Sequence, residues 1–169
     1  MLFASVRCAV LCTLVGIAAT PQKPDFSGMW DLAPNTTVDG NFGSVTAGAL
    51  IRIEQSANAI RIRRTYGRES IKNPPVVLTI SLDGKASSNP YHGVHRPGLT
   101  GAISSTARWD SARLVIVTIH TLTDAKTKKS TQTEISETLY FDGPRLVIDR
   151  VFSPRSEINP ARKELWFKR

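Results

Sequence analysis

Short segments of this chain alternate between apolar and polar residues and are separated by turn-forming residues. This alternation has the two-residue period of a β-strand with one buried face, and no segment beyond residue 25 has the period of an amphipathic helix. The pattern predicts nine strands, at 28–33, 47–55, 59–66, 76–82, 102–110, 113–122, 132–141, 145–152 and 163–169. We therefore predict an all-β fold, an antiparallel up-and-down β-barrel of about eight to nine strands, because closing the sheet removes its exposed edges.

Three hairpins have registers that the pattern itself predicts, with turns at 57–58, 110–113 and 142–145. In the first, Ile53 faces Ile62 on an apolar side, while Glu54 faces Arg61 on a charged side. The resulting inward set comprises Ile53, Ile62, Arg64, Ile80, Glu137, Leu139, Ile148 and Arg150. The same registers place three arginines on the outer face: Arg52, Arg61 and Arg63.

A pair of opposite charges interrupts the inward apolar ladder of the third hairpin, where Glu137 faces Arg150. An unpaired buried charge is costly, so the two side chains are expected to pair. Two interpretations remain open at this point. The pair could line a cavity and hold the carboxylate or polar head of a ligand, assisted by Arg64, Tyr66 and His120. Alternatively, it could be a structural ion pair that closes the floor of the barrel.

A long connection from Gly84 to Gly101 has the length of a functional lid or a disordered segment. It contains His92 and His95, which are three residues apart. Such a histidine pair can chelate a metal, but usually on a helix and with a third ligand nearby. We therefore predict no metal site and no cofactor.

The sequence offers no catalytic constellation. Ser104, Ser105 and Thr118 lack a Gly-x-Ser-x-Gly or triad-like context. Cys8 and Cys12 are the two cysteines, and both lie in the N-terminal leader, so the mature chain is expected to have no thiol nucleophile and no disulfide. We predict no catalytic residues, and an enzyme built on the same barrel is the weaker alternative.

Residues 1–20 have the layout of a secretory signal peptide: Arg7, then an apolar run from Ala9 to Ala19, then small residues. The run is shorter than the roughly 20 apolar residues of a membrane-spanning helix. We expect a signal peptide at 1–20, a barrel domain at 25–169, and no transmembrane segment after cleavage. The predicted location is secreted or periplasmic.

The chain is basic, with a formal net charge of +8 at pH 7. Its densest basic cluster is Lys126, Lys128 and Lys129. A basic surface favours anionic partners, but export separates the protein from nucleic acid, which we therefore exclude as a partner. One alternative function is an envelope interaction module with a packed core, whose outer arginines meet anionic lipid or polysaccharide.

Three short motifs carry a resemblance to a known group of proteins. They are Phe26-Ser27-Gly28-Met29-Trp30, Trp109-Asp110 followed by Leu114-Val115, and Leu165-Trp166-Phe167-Lys168-Arg169. With these motifs the chain resembles the calycins, meaning lipocalins and their relatives. It is most similar to the small exported lipocalin-like proteins of bacteria.

The resemblance implies a binding protein that holds a small apolar or amphipathic molecule in the barrel. It also implies a structural signature of Gly28 and Trp30, in which Trp30 packs the closed end beneath a basic side chain from a late strand. Three residues are candidates for that role: Arg150, Lys168 and Arg169.

Overall fold

The structure is a computed structural model that describes residues 22–33, 49–65, 75–91, 98–154 and 162–169. These ranges form ten strands: β1 (Gly28–Leu32), β2 (Leu50–Gln55), β3 (Ala59–Thr65), β4 (Val76–Ser81), β5 (Ser87–Pro90), β6 (Leu99–Asp110), β7 (Arg113–Asp124), β8 (Ser130–Asp142), β9 (Arg145–Ser153) and β10 (Arg162–Lys168). Within these ranges no helix is long and apolar enough to cross a membrane.

The strands form one antiparallel sheet in the order β4-β3-β2-β1-β10-β9-β8-β7-β6-β5. Consecutive strands are neighbours, except that β4 and β5 form the two ends, and the last strand β10 pairs with the first strand β1. The sheet is therefore a nearly closed up-and-down barrel, as the sequence predicts.

The predicted hairpin registers are confirmed. Ile53 pairs with Ile62 between β2 and β3, and Glu137 pairs with Arg150 between β8 and β9. Each register follows from a strand pair that has one buried side, because a slip by one residue would turn every apolar side chain to the opposite face.

The prediction of nine strands is wrong by one, because β5 lies inside the connection that was expected to run from Gly84 to Gly101. Its sequence, Ser-Ser-Asn-Pro, is short and polar and ends in a residue without a backbone N–H. It therefore lacks the apolar alternation on which the prediction rested. Pro90 is tolerated here because β5 ends the ladder.

Side chains join β4 and β5, where the backbone ladder stops. The Asn89 side chain accepts a hydrogen bond from the Thr79 N–H at 2.7 Å and donates one to the Thr79 carbonyl at 3.2 Å. The Ser87 hydroxyl accepts from the Ser81 N–H at 2.8 Å. The Asn89 amide thus replaces a peptide group across this seam.

The two ends of the barrel differ. The turns of three hairpins (β2–β3, β6–β7 and β8–β9) and the connection from β4 to β5 lie at one end, which we call the closed end. The buried Phe26 covers that end, with its ring centroid 6.1 Å from Trp109 and 5.1 Å from Phe141. Gln55 holds this segment in place, accepting from the Phe26 N–H at 3.1 Å and donating to the Pro24 carbonyl at 2.9 Å. The turn of the β7–β8 hairpin and the C-terminal ends of β1, β3, β5 and β9 lie at the opposite end, which we call the open end.

Gly28 and Trp30 form part of the closed end, away from the open one. Gly28 has a φ of +147°, and a Cβ there would lie 3.4 Å from both Lys168 Cε and Trp30 Nε1. Glycine therefore suits both the backbone conformation and the close approach. Lys168 Nζ lies 5.8 Å from the Trp30 ring centroid, so Lys168 is the late-strand basic residue over this tryptophan.

The closed half of the barrel is filled by side chains. Its largest fully buried members are Phe26, Ile51, Ile53, Ile60, Ile62, Ile80, Leu114, Ile116, Leu139, Leu146, Ile148 and Trp166. The closed half is therefore an apolar core whose side chains are shielded from solvent.

Candidate functional site

A buried ion network lies on the inner wall, on the open-end side of this core. Both carboxylate oxygens of Glu137 accept hydrogen bonds from Arg64 Nη2, at 2.8 and 2.9 Å. Arg150 approaches the same carboxylate from the neighbouring strand, with its Nε 2.8 Å from Glu137 Oε1. Glu137 thus bridges two guanidinium groups, one of them supplied from across the barrel.

A second carboxylate extends the network. Arg150 Nη1 lies 2.8 Å from Glu164 Oε1, and the Trp166 indole N–H donates to Glu164 Oε2 at 3.2 Å. Sequence reasoning missed Glu164. A signal was present, because Glu164 and Trp166 occupy the same phase of the two-residue period in β10.

The electrostatics of the network keep Glu137 ionised. Burial raises the pKa of its carboxyl, but the positive charges and hydrogen bonds of Arg64 and Arg150 outweigh that effect and hold the pKa at about 2. At neutral pH the network therefore contains two cations, Arg64 and Arg150, and the carboxylate of Glu137 between them.

Strand alternation accounts for the position of Arg64. It follows Ile60 and Ile62 at the same inward phase of β3, so the strand carries its guanidinium into the barrel. Arg64 Nε is buried and has no hydrogen-bond partner among the described residues. A buried donor without an acceptor costs free energy, so this nitrogen is an unsatisfied donor of the network.

His120 lies on the same inner wall. It shares the inward phase of β7 with Leu114, Ile116 and Thr118, and it is half-buried. Burial lowers the pKa of its imidazole; the charge of Glu137 partly opposes this effect, and that of Arg64 adds to it. Burial therefore favours the neutral imidazole, which has one donor and one acceptor nitrogen.

Two buried hydroxyls add to the polar character of this half of the lumen. Ser105 Oγ and Thr118 Oγ1 are hydrogen-bonded to each other at 3.0 Å. The inner wall therefore changes from apolar in the closed half to polar toward the open end, where it carries hydroxyl, imidazole, carboxylate and guanidinium groups.

The structure brings some of the predicted site residues together, whereas others lie outside the described ranges. Arg64, Glu137 and Arg150 come together in one network, and His120 lies close enough for their charges to affect it. Tyr66 lies outside the described residues. The histidine pair of the proposed chelate, His92 and His95, also lies outside them. In the part of the chain that the structure describes, no group of three or more histidine, cysteine or acidic residues could hold a metal ion.

The outer arginines are exposed, as predicted, but they are not a uniform positive surface. Glu54 lies 3.0 Å from Arg52 Nε and 3.5 Å from Arg61 Nη1. This carboxylate offsets part of the positive charge on β2 and β3.

A separate cleft of about 300 Å³ lies at the closed end, outside the ion network. Its lining includes Lys23, Asp25, Leu82 and Trp109. Phe26 stacks on Trp109, and Lys23 Nζ lies 5.6 Å from the indole centroid. The aromatic wall of this cleft is therefore already in contact with the protein's own side chains.

No protein-family model matches the chain, and no curated protein matches it. Among solved structures, it is similar to a point mutant of the fluorescent protein UnaG, with a TM-score of 0.54 and 13% sequence identity. The match covers 85% of this chain and 95% of that one. At this identity the likeness shows the fold alone: the chain has a nearly closed antiparallel β-barrel with a lipocalin- or calycin-like fold.

Proposed function

We propose that this chain is an exported binding protein that holds a small amphipathic molecule in the open half of its barrel. The observation that carries the proposal is the buried Arg64 Nε, which has no hydrogen-bond partner among the described residues. An acidic or polar ligand head would supply the missing acceptor. The calycin-type fold supports this reading, because barrels of this size can hold one small ligand.

The arrangement of the inner wall sets the orientation of the ligand. Ile135 and Phe152 face each other one step nearer to the open end than Glu137 and Arg150. Apolar and polar side chains therefore share the wall above this network, because Thr118 lies beside Ile135 and His120 lies one inward step farther toward the open end. The head of the ligand would contact the network, and its apolar part would contact Ile135 and Phe152 and extend toward the open end.

Native mass spectrometry of the mature protein, purified gently from its host, tests this function. Extraction would then identify any bound small molecule. We expect one ligand per wild-type chain, retention by Arg63→Met, and loss from Arg64→Met. Arg64→Lys is a second variant: it keeps the charge beside Glu137 but removes Nε, so it should fold and still lose ligand.

The proposal fails if the wild-type protein has a bare mass and if no anionic amphiphile raises its melting temperature. The same sample tests export. N-terminal sequencing should place the start of the mature chain shortly after Ala19, and an intact leader would contradict this part of the proposal.

A second candidate function is an envelope interaction module, which the packed closed half and the exposed arginines of β2 and β3 favour. It predicts salt-sensitive binding to anionic vesicles or polysaccharide. Charge reversal of Arg52 and Arg63 would weaken this binding, whereas the lumenal variant Arg64→Lys would leave it unchanged.

A further inference from the structure

We infer that the outer face of β1 and β10 docks on an anionic lipid bilayer. Met29 and Phe167 reach the boundary of the acyl chains, and the basic side chains around them contact the headgroups. This docking face does not depend on the lumenal site, and it gives the envelope interaction module one surface and one partner.

The first observation is an exposed apolar pair on the outer wall. Met29 and Phe167 are 39% and 45% exposed. Phe167 lies opposite Asp31, and the Met29 carbonyl accepts the Arg169 N–H at 2.9 Å. The two side chains are therefore diagonal neighbours on adjacent strands, with Cα atoms about 7–8 Å apart. Leu165 is half-buried and continues the apolar surface along the same face of β10.

Contacts within the protein do not account for the exposure of this pair. The third exposed large apolar side chain among the described residues is Phe141, whose ring lies 5.1 Å from Phe26 and 5.8 Å from Trp30. Phe167 forms no ring contact with the described residues. Apolar side chains that are exposed together mark an interaction surface, whereas scattered single ones need no explanation.

Arginines flank the apolar pair on both sides. Arg52 lies opposite Met29 on β2, and Arg145 lies opposite Phe167 on β9. An arginine places its aliphatic stem along an apolar surface while its guanidinium stays in the polar layer above it. The face therefore has an apolar centre with a basic margin.

The charge of this region favours an anionic partner. Arg63 and Lys168 are exposed and form no ion pair with the described residues. Three nearby carboxylates are each paired with an arginine: Asp31 with Arg169, Glu54 with Arg52 and Asp142 with Arg145. The remaining positive charge attracts an anionic bilayer, and it would repel the same face of a second copy of the chain.

The two contributions act together at a bilayer surface. Binding there increases with the apolar area removed from water and with the attraction of cations to anionic lipid. Met29 and Phe167 supply the first contribution, and Arg63 and Lys168 supply the second. Loss of either pair should therefore weaken docking without affecting the lumen.

Cosedimentation of the mature protein with extruded vesicles tests the inference. Vesicles of equimolar phosphatidylglycerol and phosphatidylcholine should bind the wild type, and phosphatidylcholine alone should bind it at least about tenfold more weakly. Met29→Ser/Phe167→Ser should lower the partition coefficient for the anionic vesicles at least about tenfold. Arg63→Gln/Lys168→Gln should lower it about fivefold per cation, and high salt should remove that difference.

The matched control is Val117→Ser/Ile119→Ser, which removes two half-buried apolar side chains from the outer face of β7. Their cross-strand neighbours are polar: Thr106, Ser136, Ser104 and Glu134. This variant should bind anionic vesicles as the wild type does, and so should the lumenal variant Arg64→Lys. Circular dichroism should show that every variant is folded.

Several outcomes would overturn the inference. If Met29→Ser/Phe167→Ser binds as the wild type does while charge reversal of Arg52 and Arg63 weakens binding, the apolar face is wrong and the envelope interaction module stands. An equal loss in Val117→Ser/Ile119→Ser also excludes this face, and equal binding to both kinds of vesicle excludes the anionic requirement.

Two further outcomes concern the occupant of the face. If the wild type binds neither kind of vesicle, the bilayer is wrong as the partner. A dimer in sedimentation equilibrium that Met29→Ser/Phe167→Ser abolishes would assign the face to a second copy of the chain, which also overturns the inference.

Discussion

Arg63 and Arg64 are consecutive in the chain and lie on opposite sides of the barrel wall. The Arg64 guanidinium is 2.8 Å from Glu137 inside the barrel, whereas Arg63 is exposed and lies opposite Arg52 on the outer face. Two identical side chains on one strand thus experience different surroundings, because successive residues of a strand point to opposite faces. The pair therefore provides matched variants.

Arg64→Met should lower the free energy of unfolding by about 3 kcal/mol, because it leaves the buried Glu137 with one cation instead of two. Arg63→Met should change it by less than about 0.5 kcal/mol, since it alters an exposed position. Urea unfolding of the two variants measures the difference. Equal losses would mean that the lumenal ion pair does not stabilise the fold.

The stabilising effect of Glu137 should depend on pH. Its pKa is about 2 in the folded protein against an ordinary value of 4.5, so the ionised form favours folding. The contribution is complete above the unfolded-state pKa and is lost as pH falls through the interval from 4.5 to 2. The difference in unfolding free energy between wild type and Glu137→Gln should therefore be constant near neutral pH and shrink across that interval.

Unfolding by urea at a series of pH values measures this difference. Glu54→Gln is the control, because Glu54 forms exposed ion pairs whose loss should cost less than about 1 kcal/mol at any pH. A difference for Glu137→Gln that stays constant down to pH 2 would contradict the pKa.

Phe26 should be a principal stabilising residue of the closed end, although it lies outside every strand. Its side chain is 0% exposed, and its carbonyl accepts the Trp30 indole N–H at 3.1 Å. Phe26→Ala should lower the melting temperature strongly, with a loss of about 3–5 kcal/mol. Phe167→Ala removes the same side chain from a position that is 45% exposed and should have a much smaller effect. Comparable losses would show that the segment does not seal the barrel.

Asn89→Ala should loosen the seam between β4 and β5. The variant loses both side-chain hydrogen bonds to Thr79, each worth about 1 kcal/mol, and so exposes the Thr79 amide to exchange. Hydrogen exchange followed by NMR should show faster exchange at Thr79, with the β6–β7 ladder unaffected. Ser88→Ala alters the adjacent exposed residue and is the control. Unchanged protection at Thr79 would mean that Asn89 does not hold the seam.

Sequence patterns predicted most of the barrel because its strands bury one face. Alternation located nine strands, and the hairpin turns fixed the registers, including the pairing of Ile53 with Ile62. The tenth strand escaped because β5 has no apolar phase and Asn89 holds it through a side chain. A single side-chain contact of this kind produces no apolar–polar period in the sequence from which the strand could be recognised.

The sequence predicted only those contacts of the site that lie within a single hairpin. Glu137 and Arg150 belong to one hairpin, so their proximity follows from its turn. The bond between Arg64 and Glu137 joins residues 73 positions apart and exists because the barrel closes. No hairpin rule yields that contact, or the convergence of Glu164 on Arg150, because both depend on the order of strands around the whole barrel.

The two ends of the barrel contribute differently to its stability. The closed half contains the apolar core and the turns of three hairpins, whereas the buried ion network lies toward the open end. Substitutions at exposed positions beyond that network leave the apolar contacts in place, so we expect them to cost little stability. The same separation makes the barrel a scaffold whose open end can be redesigned while its core is kept.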